Sequence, residues 1–268
     1  MKLLILLLLT VTFTANAEYT LVSAPRGDRA SETKKYAPIA EELSKVLGVE
    51  VRYQYIEGWA VYTKAIYDDK YDIVFDGPQS SSYRASYKNH KFVARLAEPL
   101  AFVVVTKSSA SFGTLKSLSG RPVCLHPSPN LGTMLLLNNY TVAPPATVRI
   151  EGFKAAYDGV VNGNCVAAVV PLAMAKKLNK GDMKVIHEFP VLPNQAITVS
   201  ARIPNEKLEN LRAHIISGKC TSCSVILETF ASKGFVSANA NDYLGVSDIL
   251  AGDYLIGKDI RGNKVTLR

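Results

Sequence analysis

The sequence predicts an α/β protein built as two lobes. Three observations carry this. Strand-like and helix-like runs alternate along the chain, the order of βαβ units with mostly parallel strands. The segment 107–193 holds its own βαβαβ pattern. Two runs flank it, 103–109 and 191–197, each able to carry the chain from one lobe to the other. The first lobe is then made of both ends of the chain, 18–106 and 194–268, with the second inserted between them. In such sheets ligands sit beyond the carboxyl ends of the strands, near helix N-termini.

The elements follow in order. Residues 19–24 form a short β run. Residues 31–47 place Tyr36, Ile39, Ala40, Leu43, Val46 and Leu47 at helical spacing, with Pro38 in an early turn and Gly48 just past the end. A strand at 49–55, a helix at 59–67 and a short buried strand at 72–75 come next. Gly77 and Pro78 open a helix over 78–87. Strands follow at 92–96 and 100–106. The inserted lobe reads as strands at 122–125, 147–150, 166–170 and 183–189, alternating with helices at 131–140, 153–162 and 171–179. The chain then returns through a strand at 196–201 to helices at 205–217, 222–233 and 241–251. The tail, 253–268, is charged and punctuated by glycine, and its pattern assigns no structure.

The first 17 residues, MKLLILLLLTVTFTANA, read as a secretory leader. One lysine precedes a short apolar run, and Ala15-Asn16-Ala17 has the small-x-small form of a cleavage site. Cleavage after Ala17 leaves a periplasmic or secreted chain starting at Glu18. No later stretch approaches the ~20 apolar residues of a membrane span. The 31 Lys and Arg against 23 Asp and Glu give a formal charge of +8. These cations are scattered, so no nucleic-acid tract appears, and the mild positive field favours anionic ligands. Four cysteines in an exported chain point to disulfides, in one of three connectivities. A local Cys220–Cys223 bridge leaves Cys124 for Cys165, and this pairing is favoured.

At this point the residues resemble a family. Tyr36-Ala-Pro-Ile-Ala-Glu-Glu-Leu, followed by Leu47-Gly48-Val49, is similar to the opening helix and strand of phosphate/phosphonate-binding periplasmic solute-binding proteins. Tyr71-Asp-Ile-Val-Phe-Asp-Gly77-Pro78 resembles their strand carrying Asp before Gly-Pro. Leu118-Ser-Gly-Arg-Pro-Val-Cys-Leu with Pro127-Ser128 and Gly132-Thr133, then Val160-Val-Asn-Gly163, follow in the same order. The resemblance spans residues 20–200. It implies two Rossmann-like lobes joined by a double-crossover hinge, the type II periplasmic binding protein fold. It also implies capture of a small anionic solute for an ABC importer permease, or for a membrane sensor kinase, by a monomer without enzymatic activity or cofactor. This chain departs from the family at three places. Phe153 stands where a His is common, Val166 where an acidic residue is common, and Asn130-Leu131 where Ser is usual.

Candidate ligand contacts lie at strand ends and helix starts. In the first lobe they are Pro25 and Arg26, then Gly77, Pro78, Gln79 and Ser80. In the second they are His126, Ser128, Asn130, Gly132 and Thr133. A helix N-terminus offers unpaired N–H groups and about half a positive charge. The same Ser and Asn serve equally as plain N-caps. Arg26 is able to grip an oxyanion with its forked guanidinium, or to stay in solvent. Trp59, the only tryptophan, Phe102 and Phe153 are candidates for an aromatic wall. Cys124 and His126 share one strand face, which leaves open a soft-metal or metalloid site if the thiol is free. Cys220-Thr-Ser-Cys223 reads as a structural bridge, or as the redox pair of a thiol–disulfide enzyme. His90, His187 and His214 show no metal-ligand spacing.

Overall fold

The computed structural model describes residues 18–127 and 129–250, and the backbone of 256–258 and 264–266. The expected leader (residues 1–17), Ser128 and most of the tail lie outside the described residues.

Strand β1 (Glu18–Ser23) pairs in parallel with β2 (Glu50–Tyr53) and with β3 (Ile73–Asp76). Helix α1 (Arg29–Leu47) joins β1 to β2, and α2 (Trp59–Tyr67) joins β2 to β3. Asp28 caps α1 by accepting from the Ser31 N–H at 2.9 Å, and Gly48 ends the helix in the left-handed conformation. Pro38 lies in the middle of α1 rather than in an early turn. After β3 come α3 (Pro78–Tyr87) and β4 (Lys91–Leu96).

The chain then enters a second sheet. Strand β5 (Phe102–Lys107) pairs antiparallel with β8 (Ala167–Pro171) and β9 (Met183–Glu188). Strand β6 (Pro122–Leu125) lies parallel to β7 (Ala146–Arg149) and to β8. Helices α4 (Leu131–Leu137), α5 (Phe153–Val161) and α6 (Leu172–Leu178) connect them. The chain returns through β10 (Ala196–Val199) to α7 (Asn205–Ile216), α8 (Ser224–Phe230) and the short β11 (Phe235–Val236). The first sheet runs β11-β4-β10-β3-β1-β2 and the second β7-β6-β8-β5-β9. In the tail, β12 (Ile256–Lys258) pairs antiparallel with β13 (Lys264–Thr266).

Both sheets are mixed, not mostly parallel. Most antiparallel pairs come from the strands that follow each passage between sheets, β5 and β10, which run against their neighbours, and the short β11 adds one more against β4. The passages fall at 97–101 and 189–195. Strand β5, which the sequence reading left with the first lobe, therefore belongs to the second sheet.

The central strands of each sheet are buried on both faces, as covering helices require. In the first sheet Leu21, Ile73 and Phe75 point toward α1 and α7, whereas Val22 and Val74 point toward α2 and α3. In the second, Val103 and Val105 pack under α5, while Phe102 and Val104 face the other way with Leu131 of α4. Cys124 bonds Cys165 with Cα atoms 5.6 Å apart, and Cys220 bonds Cys223 at 5.3 Å. Cys124 is fully buried and carries no free thiol. With the bridge closed, Cys124 offers no thiol to a metal or metalloid.

The helix expected at 241–251 is instead two 3-10 turns, Ala240–Tyr243 and Val246–Leu250. Gly245 separates them at φ +75°, a conformation closed to a continuing helix and open to glycine. The Ser82 hydroxyl of α3 donates to the Tyr243 carbonyl at 2.6 Å and accepts from the Ser247 N–H at 3.0 Å. From the second sheet, the Asn138 amide donates to the Ile249 carbonyl at 2.9 Å. Met134 of α4 shares one apolar cluster with Val22, Tyr62, Tyr83 and Leu250. The segment 240–250 thus lies against helices of both sheets.

Candidate ligand-binding site

Strand β3 ends in Asp76, whose side chain is fully buried. One carboxylate oxygen accepts from Arg84 Nε at 2.7 Å and the other from the Tyr62 hydroxyl. Asp76 therefore ties α2 and α3 to the strand end, and both of its oxygens are occupied by the protein. The turn that follows, Gly77-Pro78, starts α3 with no side-chain cap. The next N–H groups, of Gln79 and Ser80, are first-turn donors that no carbonyl within a helix reaches. Gln79 and Ser80 are each 8% exposed. The Gln79 Oε1 has no hydrogen-bond partner among the described residues. A side-chain amide can turn to present either end, so Gln79 can donate or accept here.

Across from Gln79 stand Trp59 and Tyr62 of α2, edge to face at 5.9 Å. Helix α2 also starts without a side-chain cap, after Gly58. Trp59, Tyr62, Gln79 and Ser80 line a narrow crevice, closed on its far side by Pro129 and Leu250. Pro129 precedes α4 of the second sheet, so the crevice lies between the two halves of the molecule.

The second half contributes an aromatic group. Phe153 lies 5.8 Å from Phe102 and 5.6 Å from His126, ring centre to ring centre. Its helix, α5, has no side-chain cap after Gly152. Helix α4 is different. The Asn130 side chain accepts from the Gly132 N–H at 3.0 Å and from the Thr133 N–H at 3.4 Å. The Thr133 hydroxyl donates to the His126 carbonyl at 2.6 Å. The donors expected from 130–133 are thus engaged within the loop. Gly132 allows a close approach: a Cβ there would stand 2.9 Å from Phe102 and 3.0 Å from Val169.

The structure brings Trp59, Gln79 and Ser80 together at one crevice, beside the Gly77-Pro78 turn. It groups Phe102, His126 and Phe153. It sets Arg26 elsewhere: the guanidinium lies 5.2 Å over Phe230 and 5.8 Å over Phe75, on the α1 side of the first sheet. Buried Pro25 precedes it. Sequence reasoning missed Pro129, Leu250 and Met134. No local signal marks them, because each acts through contact with an element distant in the chain.

A family model of the phosphonate periplasmic substrate-binding protein of ABC transporters matches residues 21–243. No curated protein matches the chain. Solved structures show the same fold. XAC2383 from Xanthomonas citri, bound to ATP, superposes with a TM-score of 0.69 at 9% identity, covering 87% of this chain and 95% of that one. PhnD1 from Prochlorococcus marinus (MIT 9301), in complex with methylphosphonate, gives 0.63 at 19% identity, over 87% and 96%. A binding-protein component of an ABC phosphonate transporter from Pseudomonas aeruginosa (PA3383) gives 0.61 at 13%, over 88% and 86%. No helix among the described residues is long and apolar enough to cross a membrane. The family is periplasmic and binds solutes for importers without transforming them. With the two-sheet fold and a crevice between the sheets, the match over 21–243 makes this chain a member of the phosphonate-type periplasmic substrate-binding family of ABC transporters.

Proposed function

We propose that this chain captures a small solute bearing an oxyanion group between its two lobes and presents it to an importer permease. The carrying observation is the uncapped start of α3, which aims the Gln79 and Ser80 end of the helix at a crevice floored by Trp59. The first-turn N–H groups and the helix dipole favour an anion there. The +8 formal charge attracts such solutes over longer range. In the second lobe Phe102, His126 and Phe153 form a group of rings, suited to an apolar or planar substituent on the solute. The Asp76 charge is already balanced by buried Arg84, and Val166 stands where the resembled family commonly has an acid, so a cationic substituent is disfavoured. The lobes are the units around each sheet, and the passages 97–101 and 189–195 serve as the hinge.

The test is a thermal-shift and calorimetric screen over phosphate, alkylphosphonates and arylphosphonates. A true ligand at 100 times its Kd adds about 2.7 kcal/mol to stability. Trp59→Ala and Gln79→Ala each weaken its binding about tenfold or more, while a ligand held equally well by both variants refutes the assignment of the crevice.

A further inference from the structure

The Cys220–Cys223 bridge closes a ring of four residues that no part of the solute site uses. The ring owes its shape to more than the sulfur bond. Glu42 of α1 accepts from the Ser222 N–H at 2.9 Å and the Ser222 hydroxyl at 2.6 Å. It also accepts from the Thr221 N–H at 3.2 Å and the Thr221 hydroxyl at 3.3 Å. His214 Nε2, in the last turn of α7, lies 2.7 Å from the same carboxylate. One donor atom each from Glu42, His214 and Cys220 fall within 4.8 Å of one another. Cys223 Sγ is bonded to Cys220 Sγ and comes within reach of the same point only once the bridge opens. One sulfur, an imidazole and a carboxylate converge from three elements, and the second sulfur is bonded to the first. The Glu42 and His214 side chains are 18% and 21% exposed, which leaves a path from solvent.

This donor set is that of a tetrahedral cation site. We propose that opening the bridge with a dithiol reductant turns Cys220, Cys223, His214 and Glu42 into a site for a thiophilic divalent cation of the zinc class. The dithiol attacks one sulfur, and its second thiol releases the mixed disulfide. The reductant leaves as its own disulfide, having passed two electrons and two protons to the cysteine pair. Cation binding then displaces those two thiol protons to solvent. The four-residue ring adds little chain constraint, so its opening costs the fold less than opening Cys124–Cys165. Four hydrogen bonds to Glu42 keep the loop in place meanwhile. His214 transfers its nitrogen from the carboxylate to the cation, and the 2.7 Å contact widens to about 3.3 Å, the edge of a tetrahedron with bonds near 2 Å. With the bridge closed only His214 and Glu42 remain as donors, too few for a stable site.

The experiment is an anaerobic titration of the full chain with Co²⁺ as a spectroscopic stand-in. The chain is taken oxidised and after reduction, with bridge opening checked by thiol alkylation and folding by circular dichroism. The reduced protein gains thiolate-to-cobalt charge-transfer bands and intense tetrahedral visible bands, and the oxidised protein gains neither. Cys220→Ser/Cys223→Ser abolishes the bands, and His214→Ala weakens cobalt binding about tenfold or more. The proposal fails if the reduced, folded chain shows no charge-transfer band, or if the chain unfolds whenever this bridge opens. It fails equally if the bands survive Cys220→Ser/Cys223→Ser, or if His214→Ala leaves affinity unchanged.

Discussion

His90 is a buried imidazole whose surroundings oppose one another. Its Nε2 lies 2.7 Å from the Asp69 carboxylate, and its Nδ1 3.2 Å from the Thr198 hydroxyl. Burial dominates and, with the neighbouring Arg84 cation, outweighs Asp69 and the more distant Asp76, so the pKa lies below the ordinary 6.5. Asp69 stays ionised in any case, because Arg202 also holds it at 3.2 Å. The sign follows. The unfolded chain takes up a proton near pH 6.5 that the folded chain refuses, so the stability from His90 is present above that pH and is lost as the pH falls below it. Urea midpoints measured from pH 7.5 to 5.5 should fall for the wild type, and His90→Gln should flatten part of that fall. An equal slope in the two proteins would show that His90 protonates freely in the folded state.

Helices differ in what they leave for a guest. Helices α2, α3 and α5 start without a side-chain cap, whereas Asn130 caps α4. Replacing Asn130 with Ala should cost about 1 kcal/mol of unfolding free energy, read from urea titration. It should leave solute affinity within about twofold, since the Gly132 and Thr133 N–H groups donate to Asn130 itself. A large loss of affinity would relocate the binding contacts to α4. The start of α3 was legible because Gly-Pro follows an apolar strand. The self-capping of α4 was half legible: Asn130 announces a cap, but only the fold shows that it takes both N–H groups. The two 3-10 turns were not legible. Tyr243, Val246 and Leu250 follow helical spacing, while the break depends on the backbone angle at Gly245 and on Ser82 from another element.

For the whole molecule, the β/α units could be read from the chain because strands buried on both faces give unbroken apolar runs. Strand direction could not. Whether β5 and β10 run with or against their neighbours depends on which sheet receives them, which no local pattern encodes. The contact between halves is equally non-local. Met134, from the second half, is 1% exposed within a cluster otherwise built around first-half residues. Met134→Ala should therefore cost about 2–5 kcal/mol if the halves stay together throughout unfolding. Calorimetry would show one transition at lower temperature, whereas two separate transitions would mean that the halves unfold independently.

The segment 240–250 has a consequence for motion. Two connections alone let a pair of bodies both bend and twist about the line joining them. A third link, hydrogen-bonded to α3 at Ser82 and to α4 at Asn138, would resist the twist of the proposed hinge. What remains is close to a single coordinate, like a cover on its spine. Fewer open arrangements then compete with the closed one. The fraction ready to receive a solute is larger, and the apparent affinity rises in proportion without a single added contact to the solute.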